Sequence, residues 1–223
     1  MKILYEDKYL LVCEKPVGVE SQVSSGGKEN MIALLENYLK EQGGDSYVGL
    51  VHRLDTATGG AMIYSKRQEL TGKLCEMIQT EYYVKKYLAV VEGRPAQPCG
   101  ELCDLLYHDK QKNKSFIVKK KRAGVKEARA EYELLDSREL ECGRVISLVK
   151  VKLITGRTHQ IRVQFASRGM PLLGDGKYGS RDNKSSLALW SHSIEFLHPI
   201  TNKILAVKCV PPSVYPWTSF SIE

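Results

Sequence analysis

Segments typical of β-strands outnumber helical segments along this chain, and the two kinds do not alternate regularly. The clearest strand is RVISLVKVKLIT at residues 144–155, where Val149 and Val151 alternate with lysines, the period-two pattern of a strand with one buried face. Further strands are predicted at residues 9–14, 48–54, 60–65, 82–93, 116–118, 128–137, 187–199 and 203–212. Strands and helices mixed in this order predict an α+β fold.

Three segments carry apolar residues at helical spacing. Residues 29–42 form the longest of them, and two glycines follow it as a stop. Residues 67–79 and 158–169 are the other two. In the last of these we predict Thr158 as the N-cap and Gly169 as the end of the helix.

The length of 223 residues suits one domain, so residues 1–223 are predicted to form a single domain. A run of about 18 apolar residues, which would predict a membrane-spanning helix, does not occur in the sequence. The N-terminal segment carries the acids Glu6, Asp7 and Glu14 where a signal peptide would need an apolar stretch. We therefore expect a cytoplasmic monomer without a membrane segment.

The six cysteines do not have the spacing of a metal site. Only Cys99 and Cys103 lie close together, and His108 could add a third ligand, whereas a structural zinc site needs four. We expect no metal, and reduced thiols that pack as small apolar side chains.

Positive charge is concentrated in one part of the chain. Residues 110–129, called the basic segment below, carry nine Lys or Arg and one acid, Glu127. Its net charge of +8 exceeds the +7 of the whole chain, so the remainder sums to −1. Such a segment on a nearly neutral body predicts a polyanionic partner, and a solvated surface loop is an equally good explanation at this point.

Polar residues cluster at the end of a predicted strand in VHRLDTATGG, residues 51–60. In an extended segment Arg53 and Asp55 point to the same face, and His52 to the other. Taken alone, Arg53 and Asp55 would more often form a surface ion pair than a functional site.

A second polar cluster follows another strand, in LITGRTHQIRVQ at residues 153–164. Arg157 would lie beside the free N–H groups of a helix start, where phosphates bind, and Arg162 one turn further along. The alternative is an amphipathic helix with solvated charges. Two polar turns at strand ends, together with a basic segment, favour a functional site.

These stretches resemble the motifs of the RluA family of RNA pseudouridine synthases, in the family's order and from about Tyr5 to Pro216. The first matches the family's HRLD motif and the second its G-R-T-H-Q-I-R motif. The full set of matching stretches is YEDKYLLVCEKPVGV (5–19), HRLDTATGG (52–60), VKKYLAVVEG (84–93), LITGRTHQIRVQ (153–164), GMPLLGDGKYG (169–179) and HSIEFLHPIT (192–201).

The resemblance implies a mixed, largely antiparallel sheet flanked by helices and loops, with the active site in a cleft on the sheet. It assigns Asp55 as the catalytic aspartate and Arg162 as the cation that pairs with it. Tyr87 would stack on the flipped uracil. Asp175, in the GDGKYG turn, is interpreted as structural. The product is an isomer of the substrate, so no cofactor is expected.

The resemblance also implies an RNA partner, ribosomal or transfer RNA. A base inside stacked RNA must be extruded before it can react, and Arg53 is the candidate to fill the vacated space. His52 and His159 are predicted to be hydrogen-bonded scaffold. The residues predicted to bind RNA are Arg53, Lys85, Arg157, Lys119, Lys120, Lys121 and Arg122.

The chain departs from the family pattern near the motifs, with Thr56-Ala57 in place of a common Arg-Asp and Gln164 in place of a common His. The four residues before Tyr5 leave no room for the N-terminal S4 RNA-binding domain of many members, so we expect that domain to be missing and RNA choice to depend on the catalytic domain. Two alternatives remain: an RNA-binding protein without catalysis, and a nucleoside or glycoside hydrolase, which would need a second placed carboxylate.

Overall fold

The computed structural model describes residues 1–23, 27, 29–182 and 184–222. The chain divides into two compact units, Met1–Lys85 with Ser191–Pro211, and Lys86–Trp190 with Pro212–Glu223. Each unit combines antiparallel strands with helices, and the predicted α+β class is confirmed. Over the described residues the strands are β1 (Ile3–Glu6), β2 (Leu10–Lys15), β3 (Gly49–Leu50), β4 (Gly59–Ser65), β5 (Tyr83–Glu92), β6 (Cys99–Asp109), β7 (Lys114–Val118), β8 (Val125–Glu139), β9 (Val145–Leu153), β10 (Leu189–Leu197) and β11 (Ile204–Lys208). The helices are α1 (Met31–Glu41), α2 (Gln68–Met77) and α3 (Gln160–Ala166), with 3-10 turns at Gly176–Tyr178 and Trp217–Ser219.

In the first unit, β2 lies between β1 and β4, and both neighbours are antiparallel to it. Every residue of β4 is buried, and α1 buries Met31, Leu35 and Leu39 as its spacing predicted. Lys15, the last residue of β2, pairs with Gly60 near the start of β4. The segments that follow β2 and precede β4 therefore lie at the same end of the sheet.

In the second unit, β8 lies between β6 and β9, and β7 pairs with the other edge of β6. The short helix α3 buries its residues from Gln160 to Phe165. Its Val163 packs with Leu106 of β6 and Ala128 of β8 in a small apolar cluster. This packing fixes the position of α3 beside the ends of β6 and β8.

Several predictions about local structure were wrong or incomplete. The strand predicted at residues 48–54 is only two residues long, Gly49–Leu50. Beyond it, the backbone groups of Leu54 bond to the Ser21 side chain, and the Thr56 carbonyl bonds to Gly18 and Lys15, instead of forming a strand ladder. The strands β1 and β6 were not predicted, whereas the strand predicted at residues 116–118 inside the basic segment is confirmed as β7. The N-cap of α3 is His159 in the left-handed conformation, φ 55°, and not Thr158.

Candidate active site

Asp55 lies in the irregular segment between β3 and β4, where a turn closes behind it. The amide of Thr58 donates to the carbonyl of Asp55 at 2.9 Å. His52 and Leu54 are buried, Arg53 is exposed and Asp55 is partly exposed. The alternation predicted from the sequence therefore holds for burial, with Arg53 and Asp55 on the less buried face.

A buried lysine supports this segment. Lys15 has no exposed surface, and its Nζ donates to the carbonyls of Pro16 at 2.9 Å, Val19 at 2.6 Å and Thr56 at 3.3 Å. Burial lowers the pKa of Lys15 to about 8, and the nearby negative charge of Asp55 opposes that shift. Lys15 was not among the predicted site residues, although a lysine that closes the apolar strand LLVCEK was a usable signal.

The backbone next to Asp55 is also bonded from the turn after β2. The amide of Gly18 donates to the carbonyl of Thr56 at 2.8 Å. Gly18 adopts φ 90°, a conformation that residues with a side chain rarely take. The KPVG turn therefore holds the residue that follows Asp55.

His52 is part of the scaffold, as predicted. It is buried, and its Nε2 accepts a hydrogen bond from the amide of Ile63 at 3.3 Å. Burial, and then the positive charge of Lys85, lower the pKa of His52 to about 3. A histidine held neutral in this way is a poor proton donor or acceptor at physiological pH.

Lys85 packs with its positive charge against an aromatic ring. Its Nζ lies 5.4 Å from the ring centroid of Tyr83, which in turn packs against His52 with centroids 5.9 Å apart. Burial lowers the pKa of Lys85. This environment is more enclosed than that of a lysine at a solvated phosphate contact.

In the second unit, Arg162 of α3 forms a buried, bidentate ion pair with Asp175. Its Nε and Nη2 donate to the two carboxylate oxygens at 2.7 and 2.8 Å. The guanidinium also lies 5.1 Å from the ring centroid of Tyr178. A structural role was predicted for Asp175, but its pairing with Arg162 was not. The GDGKYG turn brings the Asp175 carboxylate to the helix.

Tyr178 connects this ion pair to the N-terminus of α3. Its hydroxyl accepts a hydrogen bond from the amide of Ser115 at 2.8 Å and lies 3.0 Å from Nδ1 of His159. The Ser115 hydroxyl donates to the carbonyl of Thr158 at 2.6 Å. His159 is thus hydrogen-bonded scaffold, as predicted, and these contacts hold its left-handed backbone.

Burial distinguishes Tyr87, the candidate tyrosine on β5, from Tyr82, which lies close to it in sequence. Tyr87 is 5% exposed, whereas Tyr82 is 61% exposed. Tyr83 is also buried, but it packs against His52 and Phe196 in the first unit. Tyr87 belongs to the second unit, together with Arg162 and Arg157.

The basic segment borders a groove of about 810 Å³ in the second unit. Three cations, Lys110, Lys126 and Arg157, line the groove together with one acid, Asp109. Arg157 is anchored there, because its Nε donates to the carbonyl of Glu127 at 2.9 Å. The groove therefore has a net positive lining.

Four consecutive cations of the basic segment differ in their partners. Lys119, Lys120, Lys121 and Arg122 are all exposed. Lys121 forms an ion pair with Glu127 at 2.6 Å, and the Arg122 guanidinium lies 5.1 Å from the ring of Tyr107. Exposed pairs of this kind contribute little to stability, so these side chains remain accessible to a charged partner.

Among the described residues no cluster of three or more His, Cys, Asp or Glu could hold a metal ion. Cys99 and Cys103 are both exposed on β6. Four residues of strand separate their Cα atoms by about 13 Å, so they cannot share an ion. In the described part of the chain no helix is long and apolar enough to cross a membrane.

The chain is similar to several known proteins. Residues 9–167 match a protein family described as RNA pseudouridylate synthase. The chain is 34% identical to an uncharacterized RNA pseudouridine synthase of Aquifex aeolicus, over 97% of this chain and 72% of that protein. It is 32% identical to ribosomal large subunit pseudouridine synthase C of Buchnera aphidicola, over 96% of this chain and 68% of that protein. Among solved structures, human RNA pseudouridylate synthase domain containing 4 aligns with a TM-score of 0.78 at 25% identity, over 95% of this chain and 88% of that one.

Proposed function

The chain belongs to the RNA pseudouridylate synthase family, and from this premise we propose how its residues carry out the reaction. The protein is an isomerase that converts uridine in RNA to pseudouridine. The bond between ribose C1′ and uracil N1 breaks, the uracil turns over, and C1′ bonds to C5 instead. C5 loses its proton and N1 gains one, so the reaction balances without a co-substrate.

Asp55 is the catalytic carboxylate of this proposal. The observation that carries it is the position of Asp55 in the HRLD segment, partly exposed on a backbone that is bonded at Asp55 itself and at Thr56. The negative charge of Asp55 lies close enough to the buried Lys15 to oppose the lowering of the Lys15 pKa by burial. A group held in one orientation before substrate binds gives up little freedom in the transition state.

Tyr87 and Arg162 are the other proposed catalytic residues, and the family resemblance supplies their roles. Tyr87 would stack on the extruded uracil, for which its buried position on a strand gives a fixed ring. Arg162 would compensate the charge of the catalytic carboxylate. Its bidentate pair with Asp175 supports this role, because that pair fixes the orientation of the guanidinium.

The proposed RNA-binding residues fall into three environments. Arg53 is exposed beside Asp55, where it could fill the space that the extruded base leaves. Arg157 lines the positive groove, and Lys119 to Arg122 are exposed residues of the basic segment that borders it. Lys85 is enclosed against Tyr83, so its role in RNA binding is the least supported of the set.

The substrate is proposed to be ribosomal RNA, with transfer RNA as the alternative. The support is the name of a relative, the ribosomal large subunit pseudouridine synthase C of Buchnera aphidicola. On the same support we propose a cytoplasmic location. We also propose that residues 1–223 act as one catalytic domain and that the protein is a monomer without a metal or a membrane segment.

The experiment for Asp55 uses RNA labelled with tritium at uracil C5, since isomerisation releases that atom to water. Asp55→Asn keeps the shape of the side chain but removes its charge and its nucleophile. We expect tritium release to fall below detection while RNA binding survives. The matched control is Asp45→Asn, because Asp45 is an exposed carboxylate of the same unit whose partner is Arg67.

The same assay separates the alternatives. Release of free uracil would identify a hydrolase, and RNA binding by the wild type without either product would identify a binding protein. An Asp55→Asn protein that releases tritium at the wild-type rate would exclude Asp55 as the catalytic residue.

A further inference from the structure

One side chain bonds both backbone groups of the residue before Asp55. The amide of Leu54 donates to Oγ of Ser21 at 3.1 Å, and the Ser21 hydroxyl donates to the carbonyl of Leu54 at 2.9 Å. Both residues are buried, and they lie 33 positions apart in the chain. A single hydroxyl thus takes the place of a neighbouring strand, which would normally satisfy these two groups.

The Ser21 hydroxyl has one proton and two possible acceptors. Its Oγ also lies 3.7 Å from the sulfur of Met62. The carbonyl of Leu54 is the closer and the stronger acceptor. Met62 is therefore a packing neighbour, and the hydroxyl donates its proton to the carbonyl of Leu54.

We propose that Ser21 is a positioning residue for catalysis, which fixes the direction in which the Asp55 side chain leaves the backbone. The proposal rests on the catalytic role proposed for Asp55. Among the described residues, five hydrogen bonds to backbone groups hold the segment around Asp55: two between Ser21 and Leu54, one from Thr58 to Asp55, and one each from Gly18 and Lys15 to Thr56. Removal of the Ser21 hydroxyl abolishes the two that precede the carboxylate.

Removal of the Ser21 hydroxyl is expected to lower the rate of the reaction. Displacement of a catalytic group by about 1 Å can lower a rate about 100-fold. RNA contacts elsewhere on the protein would be unchanged, so the effect should appear in the rate constant for bound RNA and not in affinity. A side chain that only stabilises the fold would not lower the rate constant for bound RNA while leaving affinity unchanged.

The test compares Ser21→Thr with Ser21→Val, which have the same shape but differ in the hydroxyl. Ser21→Ala removes the hydroxyl without adding bulk. The matched control is Ser65→Ala, because the buried Ser65 hydroxyl donates to the carbonyl of Arg67 at 2.7 Å and accepts from its amide at 3.2 Å. Single-turnover tritium release over a range of enzyme concentrations gives the rate constant for bound RNA and the half-saturation concentration.

We expect Ser21→Ala and Ser21→Val to lose about 10- to 100-fold in that rate constant, with half-saturation within about twofold of wild type. Ser21→Thr should recover most of the rate, and Ser65→Ala should lower the melting temperature without a comparable decrease in rate. Equal rates for Ser21→Val and Ser21→Thr would overturn the proposal, as would an equal decrease in Ser65→Ala. A Ser21→Ala protein that is unfolded at the assay temperature would also overturn it, because Ser21 would then be required for the fold.

Asp55→Asn in the same assay separates the two proposals. If Asp55→Asn is inactive while the Ser21 variants match wild type, only the role of Ser21 is wrong. If Asp55→Asn retains the wild-type rate, the catalytic role of Asp55 is wrong, and the role of Ser21 fails with it.

Discussion

At the scale of single residues, the chain buries ionisable groups close to the segment that bears the candidate aspartate. Lys15 and His52 are both buried there, and burial lowers the pKa of each. Neither group is expected to exchange protons with the substrate. Their hydrogen bonds hold the backbone, so their titration should appear in stability.

His52 gives a pH prediction whose sign follows from its lowered pKa. Between about pH 6.5 and its folded pKa of about 3, the unfolded chain binds a proton that the folded protein does not. The free energy of unfolding should therefore decrease as the pH is lowered through this window, by about 2 kcal/mol from pH 7 to about pH 5. His52→Gln can still accept from Ile63 but does not titrate. Urea unfolding should show that the wild type loses its advantage in free energy of unfolding over His52→Gln as the pH is lowered. A difference between the two proteins that does not depend on pH would contradict the buried neutral histidine.

At the scale of elements, α3 and the turn that follows it are joined by a buried charge pair. The side chains of Arg162 and Asp175 are 8% and 1% exposed. Arg162→Met should destabilise the protein by about 3–5 kcal/mol, because it leaves the Asp175 carboxylate buried without its cation. The double variant Arg162→Met/Asp175→Asn should recover part of the lost stability, because the buried negative charge of Asp175 is removed as well.

Thermal melts of the wild type, the two single variants and the double variant measure the coupling, which is typically about 0.5–3 kcal/mol for groups in contact. A surface control is Lys150→Met with Glu133→Gln, an exposed pair of the same unit at 2.6 Å. Additive effects at Arg162 and Asp175 would mean that the pair does not contribute as a unit.

At the scale of the whole molecule, the basic segment holds a charge of +8 while the rest of the chain sums to −1. Replacement of Lys119, Lys120 and Lys121 by Ala should weaken RNA binding and flatten its salt dependence, by up to about 0.9 in the logarithmic slope for each phosphate that the protein no longer neutralises. Turnover of bound RNA should change little. The control removes three exposed lysines of the first unit, Lys40, Lys73 and Lys203. Identical salt slopes for the two triple variants would show that position does not matter and that only net charge does.

The sequence by itself determined the kinds of element and most of their positions. The helical spacing of residues 29–42 and the alternation of residues 144–155 predicted α1 and β9 to within a few residues, because these periods depend only on local geometry. The order of the motifs also predicted the family, which the match over residues 9–167 confirms. The assignment of Asp55, Tyr87 and Arg162 to catalysis stays a prediction.

Only the tertiary structure decided which groups bond to one another. Residues 51–54 resemble a strand in sequence, yet their backbone is held by Ser21, whose position 33 residues away no local pattern indicates. The same is true of Lys15 at Thr56 and of Asp175 at Arg162. The physical reason is that a hydrogen bond or an ion pair forms between whatever groups packing brings within about 3 Å. The sequence supplies those groups, and the burial of the strands and helices around them selects the partners.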